Sequence, residues 1–168
     1  GPSGIAAAIE AAEKKLDVIL VEQDSLIGGD QLSENEFDSS HIENQIKNLG
    51  IKVMTRTTAF GLYDNCVVGL LERVTDHLSL PDKTLPRQRF WTIRAKHIIV
   101  GAGAIERHIA FNNNDIPGVM TVNASKHYLN RYGVLTGKKI AITTNNDSVY
   151  ETAELLSEAG ANVIVLDS

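Results

Sequence analysis

The chain is poor in several things, and each shortage excludes something. It has one cysteine in 168 residues, so no internal disulfide and no C-x-x-C redox pair can form. That lone thiol, Cys66, lies in an apolar, strand-like run and reads as a buried structural residue. Its solitude fits a reducing, cytoplasmic compartment. No apolar run approaches the ~20 residues a membrane span needs, and no signal segment is visible. The formal charge is −5 and no basic stripe stands out, which argues against a nucleic-acid surface. The five histidines (His41, His77, His97, His108, His127) are scattered without metal-ligand spacing. What remains is 43% hydrophobic and 22% charged, the balance of a soluble α/β protein long enough to bury a core.

What the chain does have is glycine in informative places. It opens Gly1-Pro2-Ser3-Gly4, continues into an alanine-rich helix, and ends an apolar strand on Glu22. This is the second half of G-x-G-x-x-G with its acid about 20 residues on. Gly1 lets backbone approach a pyrophosphate and Gly4 lets helix and strand pack closely. The free N–H groups at the start of the helix that opens with Gly1-Pro2-Ser3-Gly4 suit phosphate oxygens. Glu22, with Gln23 beside it, suits the hydroxyls of an adenosine ribose. The alternative is a bare βαβ packing unit, and the order of turn, helix, strand and acid favours nucleotide. The first glycine of the fingerprint and the strand before it are missing from this sequence. A parallel sheet needs that strand, so the chain reads as a piece of a longer polypeptide.

The expected elements alternate. Ile5 to Lys15 is helical, Val18 to Val21 a buried parallel strand, Ser40 to Leu49 a helix stopped by Gly50, and Ile51 to Thr58 a strand. Val67 to Thr75 and Phe90 to Arg94 read as antiparallel strands around a polar loop, and Lys96 to Val100 as a short strand. A second βαβ unit follows: Ile140 to Thr143, Val149 to Ala159, Val163 to Leu166. The implied organisation is a dinucleotide-binding domain over 1–120 and the start of a second, degenerate unit over 121–168.

Two further motifs add weight. The strand through Val100 runs into Gly101-Ala102-Gly103-Ala104, similar to the second flavoprotein motif, where small residues let backbone pass near a cofactor's middle. Gly28-Gly29 follows Glu22 at the spacing of the glycine doublet in two-dinucleotide-binding-domain flavoproteins. Thr58 and Ala59, at the end of the next strand, offer backbone groups to an adenine edge. Tyr63 and Asp64 either line the nucleotide site or anchor a loop.

The longer strings are more specific. Thr57-Thr58-Ala59-Phe60-Gly61-Leu62-Tyr63-Asp64, Leu70-Leu71-Glu72-Arg73-Val74-Thr75-Asp76-His77, Gly103-Ala104-Ile105-Glu106-Arg107, Phe111 to Met120, Tyr128 to Val134 and Thr144-Asn145-Asn146-Asp147-Ser148 together resemble the α subunit of heterotetrameric sarcosine oxidase. Opine and proline dehydrogenase α subunits share much of this region. The resemblance implies a Rossmann-like, two-dinucleotide-binding-domain flavoprotein fold lacking its first strand. It implies a multi-subunit enzyme that demethylates sarcosine to glycine, makes peroxide and passes a one-carbon unit to tetrahydrofolate. This segment would hold NAD (or FAD), with no catalytic residue of its own. FAD and FMN would lie elsewhere, with β and smaller subunits as partners. One departure is His108, where the family usually has proline.

The second βαβ unit lacks the glycines of a working site. Asn145, Asn146 and Asp147 crowd and repel a pyrophosphate, with Asp147 or Ser148 capping the following helix. This disfavours the third alternative, an NAD(P)H-dependent flavin reductase. Glu106 and Arg107 read as a solvated ion pair or a domain anchor, and Asn112 to Asp115 as a hydrogen-bonded turn before Pro117-Gly118.

Overall fold

The computed structural model describes residues 1–34 and 39–167. They divide into two compact units. The first holds the described residues up to 103 apart from Ser33 and Glu34. The second holds those two with 104–167.

The first unit begins with helix α1, Pro2–Glu13. Proline suits the first helical turn because it lacks the N–H that would go unbonded there. Ile5 and Ala8 are the buried positions of the helix. Lys15, at φ 62°, ends it. Strand β1, Ile19–Val21, follows. Helix α2, Ser39–Asn48, stops as expected at Gly50, which has φ 69°; the Ile51 N–H then returns to the Ile46 carbonyl at 3.1 Å, tying off the helix end. Strand β2, Lys52–Met54, pairs parallel with β1. Ile5, Ala8, Ile27, Ile46 and Ile51 form the core here, with Ile9, Ala12, Val18, Leu20, Ile42, Leu49 and Val53 packed on it.

The expected single strand from Ile51 to Thr58 is two strands. Arg56 adopts φ 52°, turning the chain out of the parallel pair, and β3, Thr57–Tyr63, starts a separate antiparallel sheet. Its order is β3-β4-β5, with β4 at Val67–Arg73 and β5 at Gln88–Arg94. The latter two fall where the sequence places its antiparallel pair. Sequence reading missed the extent of β3 because Gly61 and a register shift between Ala59 and Gly61 break its alternation. Leu70 is the buried centre of the sheet. On the same face Trp91 donates its indole N–H to Glu72 at 2.8 Å.

Two other expectations are corrected. Cys66 is exposed, because it sits in the turn between β3 and β4 at φ 55° rather than within a strand. The segment 96–100 forms no regular ladder; Ile99 and Val100 are 70% and 67% exposed, since no strand among the described residues pairs with them. His97 is exposed as well.

The second unit contains helix α3, Val122–Tyr132, strand β6, Lys139–Thr144, helix α4, Tyr150–Glu158, and strand β7, Asn162–Asp167. β6 and β7 pair parallel, from Lys139 opposite Asn162 to Thr144 opposite Asp167, completing the expected βαβ. Ile142, Val149, Ala153, Leu156 and Ala161 form its core. Glu106 is a helix cap rather than an ion pair with Arg107: its carboxylate accepts the Asn123 N–H at 2.8 Å, one of the groups the first turn of α3 leaves unbonded. The expected turn before Pro117 is present, with Asn114 N–H on the Phe111 carbonyl and Ile116 N–H on the Asn113 carbonyl. Lys126 is 12% exposed at its side chain and bridges Glu34 at 2.8 Å and Glu151 at 3.2 Å. Burial alone pushes its ammonium down, but the hydrogen bonds and charges of the two carboxylates outweigh it and hold it above the usual lysine range.

Candidate dinucleotide-binding site

The site is built around the start of α1. The Ile5 N–H makes the first helical bond, to the Gly1 carbonyl at 3.1 Å. Pro2 has no N–H, which leaves those of Ser3 and Gly4 outside the helical ladder. Gly1, the N-cap, carries no side chain, and the first turn holds no acid. Aligned peptide dipoles make this end partly positive. Such a turn suits a phosphate oxygen.

Four glycines from three parts of the sequence converge on this turn. Gly29 has φ 61°, and a Cβ on it would lie 2.7 Å from the Gly1 Cα. Any side chain there forces the two loops apart. Gly28, at φ 142°, precedes it and is buried. On the other side, a Cβ on Gly101 would lie 3.0 Å from both the Cα and the N of Gly4. The second glycine motif, Gly101-Ala102-Gly103, is thereby set against the first, with Ala102 and Gly103 exposed. These approaches are tighter than nearly all real Cβ contacts, so the backbone cradle depends on glycine at 29 and 101; a Cβ on Gly1 would meet nothing within 4 Å, and one on Gly4 only the Gly101 carbonyl at 3.9 Å.

Glu22 stands at the C-terminal end of β1, where ligands of open α/β sheets bind. One carboxylate oxygen, Oε2, lies 3.3 Å from the Gly1 nitrogen. The other, Oε1, accepts the Asp24 N–H at 3.1 Å. The side chain is 12% exposed, so the acid is held in one orientation beside the helix start. The backbone around it is fixed too. Glu22 N–H donates to the Met54 carbonyl, and its own carbonyl accepts the Thr57 N–H, both at 2.9 Å. Thr58 and Ala59 continue from Thr57 along β3 and are exposed, so they lie next to the Glu22 end of the site. Gln23 is exposed; its carbonyl accepts a hydrogen bond from the Arg73 guanidinium at 3.2 Å.

Gly1, Gly4, Glu22, Gly29 and Gly101 are thus brought together, with Pro2, Ser3, Gln23, Gly28, Thr58, Ala59, Ala102 and Gly103 attached through the same backbone. Tyr63 and Asp64 are not among them. Tyr63 pairs with Val67 at the far end of β3, six residues or roughly 20 Å along the strand from Thr57. Sequence reading missed Arg73, Asp24 and Thr57, whose contributions are a distant guanidinium and two backbone N–H groups. The 50-residue separation of Arg73 from Gln23 left no local signal to find.

The corresponding turn of the second unit is filled by its own side chains. The Asn146 side-chain oxygen accepts the Ser148 N–H at 3.0 Å, capping the 3-10 turn Asp147–Val149 that leads into α4. The cap is therefore Asn146, not Asp147 or Ser148. Thr144 Oγ1 donates to the Asn146 carbonyl at 2.8 Å and accepts the Asn146 N–H at 3.1 Å. Asp147 is exposed beside these groups. Among the described residues, no group of three His, Cys, Asp or Glu is placed to hold a metal, and no helix is long and apolar enough to cross a membrane.

The fold is that of Rossmann-like flavoprotein dehydrogenases and oxidases. L-Proline dehydrogenase from P. horikoshii superposes with a TM-score of 0.74 at 25% identity, over all of this chain and 34% of that one. An engineered water-forming NADPH oxidase, solved with NADPH bound, has a TM-score of 0.62 at 16% identity, over 98% of this chain and 37% of its own. Within this class the chain is homologous, along its whole length, to the α subunit of sarcosine oxidase. It is 41% identical over 175 residues to that of Rhizobium meliloti (strain 1021), covering 99% of the chain. It is 38% and 36% identical, over 179 residues and the entire chain, to those of Corynebacterium sp. strains U-96 and P-1. The chain spans 18% of the length of each of these relatives. No protein-family model matches it.

Proposed function

We propose that this chain is the dinucleotide-binding segment of an α subunit in a sarcosine-oxidase-like complex. The observation that carries the reading is the convergence of Gly1, Gly4, Gly29 and Gly101 around an uncapped helix start beside Glu22. A pyrophosphate lies against the Ser3 and Gly4 N–H groups, Gly29 and Gly101 keep the approach open, and Glu22 accepts the two ribose hydroxyls. Thr58 and Ala59 meet the adenine edge. A 2′-phosphate on that ribose meets a carboxylate of like charge, so NAD or FAD is preferred over NADP. The 36–41% identity to sarcosine oxidase α subunits supports an amine-oxidising complex of several subunits in which this segment binds cofactor and helps assemble the electron path. Amine oxidation takes place elsewhere in that complex.

A second reading has its own support: the TM-score of 0.74 to a proline dehydrogenase favours the α subunit of an imino-acid or opine dehydrogenase. A free-standing NAD(P)H-dependent flavin reductase is disfavoured, because the second βαβ turn is closed by Asn146 and Thr144. Native mass spectrometry of the intact complex, with assays on sarcosine and on proline, tests the proposal. One NAD or FAD traced to this segment, with turnover of sarcosine, is expected. A complex carrying NADP here, or carrying nothing here, would refute it; turnover of proline alone would select the second reading.

A further inference from the structure

The loop that follows β1 is held by more than its own sequence. The carbonyls of Glu22, Gln23 and Asp24 all accept hydrogen bonds, from the turn at Arg56 and from the β3-β4 pair that follows it. Thr57 N–H reaches Glu22 at 2.9 Å and Arg56 N–H reaches Asp24 at 2.8 Å. Between them the Arg73 guanidinium donates to Gln23 at 3.2 Å. The outer two bonds are backbone to backbone and follow from the turn at Arg56. The middle one is a side chain from the end of β4, and it is the member of the set that sequence can remove. The Arg73 backbone N–H also bonds the Arg56 carbonyl at 2.9 Å, so one residue ties both the turn and the ribose loop.

Resting on the reading of Glu22 as the ribose acid, we propose that Arg73 is a positioning residue for that acid. It contacts no nucleotide itself. It fixes the Gln23 peptide so that the Glu22 carboxylate, already oriented by Asp24 N–H, stands where two ribose hydroxyls need it. The physical ground is the strength of a hydrogen bond with a charged donor, which exceeds that of a neutral one, and the rigidity of a planar guanidinium. Discrimination between a 2′-hydroxyl and a 2′-phosphate then depends on a residue 51 positions away from Glu22. A free guanidinium near that ribose would instead attract the phosphate, so the two roles predict opposite selectivities.

The test uses the intact protein, freed of co-purified nucleotide, and titrates ADP-ribose against 2′-phospho-ADP-ribose by calorimetry. Arg73→Ala is expected to weaken ADP-ribose about tenfold. The phosphorylated ligand should lose less, because a displaced Glu22 repels it less, so the preference narrows. Arg73→Lys, which keeps a charged donor, should recover most of the loss. Arg89→Ala removes a guanidinium from the same sheet, where it pairs with Glu72, and should leave the preference unchanged. Equal losses for both ligands, no loss at all, or a loss confined to the phosphorylated ligand would each overturn the positioning role. A wild-type protein that binds neither ligand, or Glu22→Gln with undiminished ADP-ribose affinity, would instead refute the underlying reading of the site.

Discussion

The start of α1 is left open by its own residues, whereas the turn from β6 towards α4 is closed by its own. In the first, the turn is Gly1-Pro2-Ser3-Gly4, and the groups approaching it are the backbones of Gly29 and Gly101. In the second, Thr144, Asn146 and Ser148 hydrogen-bond one another and satisfy the turn from within. Both belong to a parallel strand pair with a packed helix, so the helix–sheet core does not require a ligand. What separates them is where the free N–H groups of the helix start find partners. Glycine postpones that answer until a ligand arrives, whereas asparagine supplies it during folding.

The comparison breaks most severely at Gly29. Gly29→Ala places a Cβ 2.7 Å from the Gly1 backbone at a positive φ, a clash that only backbone movement relieves. It should lower the stability of the first unit by ~2–3 kcal/mol and abolish dinucleotide binding, as read by urea unfolding followed at Trp91, the single tryptophan, and by calorimetry. Wild-type binding in this variant would show that the glycine convergence is packing alone.

Next in size is the acid. Glu22→Ala removes a charged acceptor and should cost ~1.5–3 kcal/mol of NAD affinity, with NADP gaining relative to NAD in the same titration. An unchanged ratio would mean that the carboxylate reads no ribose.

Much of this comparison was legible in the sequence. The G-P-S-G start, Glu22 at the end of an apolar run, and the asparagines at 145 and 146 carry their chemistry locally, and each appears where its spacing places it. The strings at Thr57, Leu70 and Tyr128 carried the likeness to sarcosine oxidase α subunits. Other features depend on contacts distant in sequence. Nothing near Arg73 announces the Gln23 carbonyl, and Glu106 looks like half of an ion pair until α3 presents its Asn123 N–H. Cys66 looked buried because Val67 and Val68 follow it, but the positive φ of Asn65 and Cys66 makes the pair a turn. The split of the strand after Ile51 likewise hangs on Arg56, whose left-handed backbone no propensity favours.

A smaller effect sharpens the contrast from the other side. Asn146→Ala removes the cap of the second turn and should cost the second unit ~1 kcal/mol. Nucleotide affinity should stay as it was, since the first turn is untouched. A new nucleotide-binding event in this variant would mean that the asparagine alone had kept the second turn closed.

The smallest expected effect is electrostatic. Lys126 bridges Glu34 and Glu151, and its folded-state pKa is raised. The stability it contributes is therefore fully present below the unfolded lysine value of about 10.4 and is lost as pH rises through the higher folded value. Lys126→Met should cost ~0.5–1 kcal/mol at pH 7, and the gap between wild type and variant should shrink in alkaline denaturant titrations. A gap that widens above pH 10 would contradict this sign.

One of the two helix starts, that of α1, takes a dinucleotide, and the one leading into α4 does not. Equilibrium dialysis of NAD and of FAD on the intact subunit, with Glu22→Ala and Asn146→Ala alongside, tests it most directly. One equivalent per chain that disappears in Glu22→Ala and persists in Asn146→Ala is the predicted result. A second equivalent that Asn146→Ala alters, or full retention in Glu22→Ala, would contradict it.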